Sequence, residues 1–146
     1  MPVIVVGADT ASGETIISGL AEPNREIRVF VTDEAFATRM KKSGFKVAIG
    51  DVSDESHIEG AAASCFTAIL VSEAATDERE RAFIDEPLEV LAAWSRASSA
   101  AGVTRVIWVM DGTPPETTTR EVATVRPSDP GFVSRIVELD DAQVIS

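Results

Sequence analysis

Short, wholly apolar runs recur along this chain. Between them lie segments whose apolar positions fall three and four residues apart. The runs are residues 3–6 (VIVV), 27–31 (IRVFV), 46–49 (KVAI), 66–71 (FTAILV) and 105–110 (RVIWVM). They lack the alternation of a sheet with one face in water, so they predict strands covered on both faces. The intervening pattern predicts helices. Residues 12–20 place Ile16, Ile17 and Leu20 on one face, and residues 34–43 carry Phe36, Ala37 and Met40 before Gly44 stops them. Residues 54–62 turn Ile58 inward. Pro87 suits the first turn of a longer helix, 88–101, which offers Leu88, Leu91, Ala92 and Trp94 to the core and ends at Gly102. The charged stretch 75–86 reads as a solvated loop or a helix start. A weaker strand at 121–125 and a short helix at 131–139 close the pattern, and the tail after Asp140 is expected to fray. Strand and helix alternating in this way predict an α/β fold: a doubly wound, mostly parallel sheet of about five to six strands in three αβα layers.

Length and composition narrow the function more than the fold. The 146 residues fit one domain, 1–146, around one core. Net charge is −11, from 24 acidic and 13 basic side chains. That balance argues against nucleic acid, which needs a basic surface to displace counterions, and against anionic membranes. No apolar stretch approaches the roughly 18 residues of a membrane span. Met1-Pro2 leads straight into a strand without the basic flank of a signal peptide, and Cys65 is the only cysteine, so a cytoplasmic protein is expected. No Cys/His cluster has zinc spacing, and no metal is expected. With no tyrosine and a single histidine, several catalytic schemes are excluded by inventory.

In a sheet of this kind ligands lie beyond the carboxyl ends of the strands, near the switch point. The residues there are Gly7 to Gly13 after the first strand, Thr32 and Asp33 after the second, Gly50, Asp51 and Val52 after the third, Ser72, Glu73 and Ala74 after the fourth, and Asp111 and Gly112 after the fifth. The first turn reads Gly7-Ala8-Asp9-Thr10-Ala11-Ser12-Gly13. Gly7 permits a tight turn, Gly13 permits close helix–sheet packing, and Ser12 suits an N-cap. Thr10 stands where a backbone would approach a pyrophosphate. Its side chain either obstructs that approach or donates its hydroxyl to a phosphate oxygen. A strand-to-helix turn with no ligand satisfies the same glycines. Asp51 is placed to accept the amino hydrogen of an adenine, or else to cap the next helix in competition with Asp54. Asp33 is placed to accept from a ribose 2′-hydroxyl and to repel a 2′-phosphate, or else to cap its own helix.

These segments together resemble the atypical short-chain dehydrogenase/reductases, most closely their NmrA-like NAD(P)-binding branch, over residues 3–112. VIVVGADTASG is similar to that family's strand and G-x-x-G-x-x-G turn, apart from Thr10. GFKVAIGDVSDESHIEGAAASCFTAILVS is similar to its third strand, Gly-Asp turn, helix and fourth strand, and SRASSAAGVTRVIWVM to its alanine-rich helix and fifth strand. The resemblance implies a Rossmann-like domain with NAD or NADP across the sheet ends. Gly7, Asp9, Thr10, Ala11, Ser12 and Gly13 would lie at the pyrophosphate turn, Thr32 and Asp33 at the adenosine ribose, Asp51 and Val52 at the adenine, and Ser72 alongside. Asp33 favours NAD. The chain departs from the family where chemistry is done. Met110 and Asp111 stand where the family has Ser or Thr, no Tyr-x-x-x-Lys pair follows, and the lysines are Lys41, Lys42 and Lys46, far upstream. EVATVRPSDPGF resembles the family's later strand ending in Arg-Pro, which implies that the catalytic helix has been excised.

Other chemistry finds little support. His57 reads as a surface helix residue, Cys65 as a core thiol, and no G-x-S-x-G elbow is present. Asp111 alone, at the right end of the sheet, is a candidate catalytic carboxylate. The expected function is a non-catalytic dinucleotide-binding or sensor module. The alternatives are an NAD(P)-dependent oxidoreductase or epimerase-like enzyme completed by a partner chain, a ligand-gated domain like those of potassium-transport proteins, and a regulatory binding domain that no longer holds nucleotide. Apolar surface left near the fifth strand predicts a homodimer through the segment after Val125.

Overall fold

A computed structural model describes residues 1–145 of the chain. Six strands form one parallel sheet: β1 (Val3–Val6), β2 (Ile27–Val31), β3 (Lys46–Ile49), β4 (Thr67–Val71), β5 (Arg105–Val109) and β6 (Glu121–Val125). The spatial order is β3-β2-β1-β4-β5-β6, so the direction of winding reverses between β1 and β4. β1 pairs in register with both neighbours across that switch point, Val5 lying opposite Val29 on β2 and Ile69 on β4. The crossovers are α1 (Ala11–Leu20), α2 (Glu34–Lys42), α3 (Glu55–Ala62), α4 (Glu73–Thr76) and α5 (Pro87–Ala100), with α6 (Phe132–Asp141) after the last strand. The expected αβα class and strand positions hold, with end-residue shifts of the usual size.

Two apolar layers explain why β1, β2, β4 and β5 are buried on both sides; β3, expected to be covered likewise, is an edge strand and stays half-exposed. On one face Val3, Val5, Val29, Ile69 and Ile107 meet Ile16, Ile17 and Leu20 of α1, Phe36 and Met40 of α2, and Ile136 and Leu139 of α6. On the other face Ile4, Val6, Phe30, Leu70 and Trp108 meet Ile58 of α3 and Val90, Leu91, Trp94 and Ala97 of α5. The β5-to-β6 connection carries no helix. Residues 110–120 cross the second face as an irregular segment instead, held by Ser95 Oγ donating to the Glu116 carbonyl (2.8 Å) and Trp108 Nε1 to Thr117 Oγ1 (2.9 Å). Parallel strands more often need a helix for that return.

Three further expectations from the sequence are corrected. Leu88, in the first turn of α5, is 66 % exposed, while Val90, Ala93 and Ala97 join the expected Leu91 and Trp94 in the core. The tail after Asp140 does not fray through Ile145: the Gln143 carbonyl accepts from Arg105 (3.2 Å) and the Ile145 N–H donates to Glu121 Oε1 (2.8 Å). Ser146, at the end of that tail, lies outside the described residues. The stretch 75–86 is not a solvated loop throughout, since the side chains of Arg79 and Arg81 are only 11 % and 9 % exposed.

Candidate functional site

The carboxyl ends of β1, β2, β3 and β4 converge on the cleft where the fold places a ligand. The turn after β1 is built by exclusion. Gly7 adopts φ +85°, and a Cβ there would meet the Ala74 Cβ at 2.9 Å. A Cβ on Gly13 would stand 2.2 Å from the Gly7 carbonyl oxygen, so α1 sits directly against the turn. Only glycine allows both approaches.

Thr10 points into the protein rather than toward a ligand. It is 4 % exposed; its hydroxyl donates to the Gly7 carbonyl (2.7 Å) and accepts from the Gly13 N–H (2.9 Å). Thr10, and not Ser12, is therefore the N-cap of α1, because the helix begins at Ala11. The residue that departs from the glycine pattern thus closes the turn internally. Thr10→Ala is expected to cost about 1–2 kcal/mol of stability through loss of the cap, read as a lower urea midpoint at unchanged slope.

The N-terminus of α1 faces the cleft, and an anion already lies on it. The Ser12 N–H donates to Glu73 Oε1 at 3.4 Å. Asp9 turns toward the next strand, where its Oδ2 accepts from the N–H groups of Thr32 (2.8 Å) and Asp33 (3.0 Å). Thr32 Oγ1 donates to the Gly50 carbonyl (3.1 Å), joining β2 to β3. Asp33 caps α2 through Oδ1, which accepts from the Ala35 N–H (3.0 Å). Asp54, not Asp51, caps α3. Asp51 Oδ1 accepts from the N–H (2.8 Å) and hydroxyl (2.5 Å) of Ser53, and its Oδ2 accepts from the Ala82 N–H (2.7 Å). Val52 is buried, its carbonyl taken by Trp94 Nε1 (2.7 Å). Ser72 precedes α4 without a side-chain capping bond.

Sequence reasoning missed three cleft residues. Glu73 was placed at the strand end but given no role. Arg79 and Arg81 were read as solvated. Arg79 Nη1 donates to Asp9 Oδ1 (2.8 Å) and Thr32 Oγ1 (3.3 Å), and its Nε and Nη2 hold Asp77. Arg81 reaches Asp77 Oδ1 (3.3 Å) and the Ala74 carbonyl (2.9 Å). The usable signal was positional: a segment leaving β4 in a parallel sheet starts at the ligand edge, so its arginines begin beside the cleft.

Arg79 and Arg81 pair with part of the acidic charge in the cleft, Asp9 and Asp77. Burial disfavours the charge on Arg79, but its bonds to Asp77 and Asp9 outweigh that and raise its pKa. For Asp51, burial pushes upward, but the bonds from Ser53 and Ala82 prevail and hold it below its ordinary 3.8. Asp77 shows the same balance, with Arg79 and Arg81 as the stabilising partners. Both carboxyls are therefore lowered in the folded state. Their stabilisation is complete above pH 3.8 and is lost as pH falls through the folded values. The urea midpoint is expected to be level in these two contributions from pH 7 to 5 and to fall below pH 4; Asp51→Asn and Asp77→Asn should each reduce the drop.

At the end of β5 the geometry is less suited to proton transfer. Asp111 is exposed and tied to Ser128, whose hydroxyl donates at 2.5 Å, with Arg126 Nε at 3.6 Å. These partners, Ser128 first, lower its pKa, which makes it a poor base at neutral pH. Lys46 opens β3 and Lys41 and Lys42 end α2, all at the opposite end of the sheet from the cleft. An open cleft of about 250 Å³ lined by Ser12, Ser72, Glu73, Thr76, Val109 and Asp111 adjoins the switch point. A cleft of about 470 Å³ lies at the amino ends of β2 and β3, near Glu22, Ile27 and Lys46, at the opposite end of the sheet from the glycine turn. Among the described residues no group of three or more His, Cys, Asp or Glu is placed to hold a metal ion, and no helix is long and apolar enough to cross a membrane.

Fold and cleft together define a doubly wound α/β domain of the Rossmann type, with a glycine turn at its switch point. The chain belongs to the TrkA-N domain family, whose model matches residues 3–84, more than half of its length. The match takes in both the glycine turn and the stretch Gly50-Asp51-Val52-Ser53-Asp54. No curated protein matches the chain. Among solved structures it is similar to the Citrobacter sp. triphenylmethane reductase complexed with NADP(H), with TM-score 0.62 and 21 % identity over 75 % of this chain and 37 % of that one. It is also similar to an NADPH-dependent quinone oxidoreductase from Escherichia coli complexed with NADPH (TM-score 0.61, 21 % identity, 73 % and 36 %). A nucleoside-diphosphate-sugar epimerase from Pseudomonas aeruginosa has TM-score 0.59 and 16 % identity over 75 % of this chain and 33 % of its own. At these identities the likeness is one of fold. The chain spans about a third of the length of each of these proteins.

Proposed function

We propose that this chain is a dinucleotide-binding regulatory module, with NAD(H) or NADP(H) as ligand and without redox chemistry of its own. The observation that carries this reading is the anion on α1. The N-terminus of the helix after the glycine turn holds the Glu73 carboxylate, where a pyrophosphate belongs in this fold. Displacing Glu73 frees the Ser12 N–H for phosphate. The reading is supported by the family match over residues 3–84 and by the dinucleotides named for two of the similar structures.

Gly7 and Gly13 give the pyrophosphate its approach. Ala11 and Ser12 supply N–H groups, and Asp9 and Thr10 hold the turn in shape. Thr32, Asp33, Asp51 and Val52 line the adenosine half, and Ser72 lies beside the open cleft. Asp33 keeps Oδ2 outside its capping bond, free to accept from a ribose 2′-hydroxyl. With Asp9, Asp33, Asp51, Glu73 and Asp77 against Arg79 and Arg81, the cleft disfavours a further phosphate, so NAD(H) is the preferred ligand.

The non-catalytic half of the reading is supported by the groups beside the open cleft. No tyrosine exists, no lysine stands at this end of the sheet, and Asp111 is engaged by Ser128. Titration with NADH and NADPH, followed by reduced-cofactor fluorescence, tests the binding half. Micromolar affinity with NADH the tighter supports it. Steady consumption of NADH with added quinones or aldehydes contradicts the non-catalytic half.

A homodimer through the segment after Val125 is part of the same proposal. Val122, Ala123, Leu139 and Val144 line a shallow cleft between β6 and α6, and Val144 is 75 % exposed. Light scattering at micromolar concentration is expected to give twice the mass of one chain. A monomer would contradict the dimer alone.

A further inference from the structure

Most of the polar groups at the adenosine half of the proposed site, Asp9, Thr32, Asp51 and Ser53, already accept from one segment of this chain; Asp33 stands outside its reach. Residues 77–84 leave α4 and pass over the carboxyl ends of β1, β2 and β3 before α5 begins. Arg79 takes Asp9 after β1 and Thr32 after β2. The Ala82 N–H donates to Asp51 Oδ2 after β3, the carboxylate placed to accept an adenine amino hydrogen. The Phe83 N–H donates to Ser53 Oγ at 3.0 Å. On the pyrophosphate side Glu73, from α4 at the root of the same segment, covers the Ser12 N–H.

We infer that residues 77–84 form a latch that occupies the adenosine half of the site, and that a dinucleotide binds only when the latch is displaced. This deepens the proposed function and rests on it. The manner of attachment supports a latch over a fixed wall. The segment is joined to the cleft chiefly by polar contacts: its largest apolar side chain, Phe83, is 67 % exposed, and Ile84, at its end, is the one that packs partly against the core. The elements on either side are anchored: Ala74 and Ala75 of α4 and Val90, Leu91 and Trp94 of α5 are buried. A polar strap between two apolar anchors opens locally without unfolding the rest. In the open state Asp9, Asp77 and Arg79 regain water, and Asp51 and Ser53 recover their capacity for a ligand.

The consequence is quantitative. Apparent affinity falls by the fraction of molecules that are open, so a latch open about 1 % of the time weakens binding about 100-fold. Any change that weakens the closed state tightens dinucleotide binding without touching the ligand.

The test compares the parent chain with Arg79→Ala and Ala82→Pro, using NADH and NADPH as probes and hydrogen exchange at the Ala82 and Phe83 amides. Ala82→Pro removes the donor to Asp51 and keeps the Arg79–Asp9 pair, so a folding defect in one variant does not decide the question. NADH is expected to bind each folded variant at least about tenfold tighter than the parent. In the parent, Ala82 and Phe83 are expected to be protected when free and to exchange faster at NADH saturation. Equal affinities in all three proteins, with protection kept in the complex, would overturn the latch and leave the dinucleotide site standing. Weaker NADPH binding by Arg79→Ala would make Arg79 a ligand contact and would overturn it too. No binding by any of the three at millimolar cofactor would overturn the latch and the proposed function together.

Discussion

Arg105→Met is expected to destabilise the protein by about 3–5 kcal/mol, the range for removing one member of a buried ion pair. Arg105 opens β5 and is fully buried. Its Nε and Nη2 donate to Glu121 Oε1 at 3.0 and 2.7 Å, and Nη1 donates to the Leu139 carbonyl at 2.6 Å and the Asp140 carbonyl at 3.2 Å. The guanidinium also lies over the Phe66 ring, 5.1 Å from its centroid. One side chain thus joins β5, β6 and the last turn of α6. Methionine fills much of the volume but leaves the Glu121 carboxylate without its counter-ion, with only the Ile145 N–H still donating to it, and the helix-end carbonyls without their donor. Urea unfolding measures the loss. Pairing the substitution with Glu121→Leu is expected to cost less than the two singles added together, since the second change removes the orphaned charge. Full additivity would show that the pair is not coupled.

Gly13→Ala is expected to have the second largest effect. It should remove about 1–3 kcal/mol of stability by overpacking and abolish dinucleotide binding. The added methyl meets the Gly7 carbonyl oxygen at 2.2 Å and the Ala8 Cα at 2.8 Å, both backbone atoms that cannot rotate away. Relief requires α1 to move off β1, which breaks the Thr10–Gly13 cap and carries the Ala11 and Ser12 N–H groups out of place. Thermal melting and NADH titration separate the two effects. A stable variant that still binds NADH would show that the pyrophosphate does not use this turn.

Most of the fold was legible because the strands buried on both faces, β1, β2, β4 and β5, leave predominantly apolar runs. β2, β3 and β6 were read with their observed ends. What was not legible depends on side-chain partners distant in sequence. Arg105 looked like an ordinary charged start to a strand; its burial is set by Glu121 and by the end of α6. Leu88 has the three-residue spacing from Leu91 that suits the core, but it lies in the first turn of α5, where Val90 is buried and Leu88 is not. At the cleft, the sequence placed Gly7, Thr32, Asp33, Asp51 and Ser72 at the strand ends, where the fold puts them. It left open whether Asp33 and Asp51 act as caps. The structure divides them: Asp33 caps α2, whereas Asp51 holds Ser53 and Ala82. Thr10 was the hardest residue to read, because the same hydroxyl suits a phosphate or an N-cap, and only its burial decides for the cap. The run Asp77-Glu78-Arg79-Glu80-Arg81 looked solvated by composition alone. Arg79 turns inward to Asp9, just past the end of β1, and Arg81 to Asp77 and the Ala74 carbonyl.

The central claim is that the carboxyl edge of this sheet binds a dinucleotide. The most direct measurement is an amide-resolved NMR titration of the intact chain with NADH. The account predicts saturable shifts at Ala11 and Ser12 on the helix N-terminus, at Thr32 and Asp33 beyond β2, and at Ala82 and Phe83 as the latch leaves. Resonances at the amino ends of the strands, near Ile27 and Lys46, should stay still. No saturable shift at the carboxyl edge up to millimolar NADH, or shifts confined to the opposite end, would contradict it.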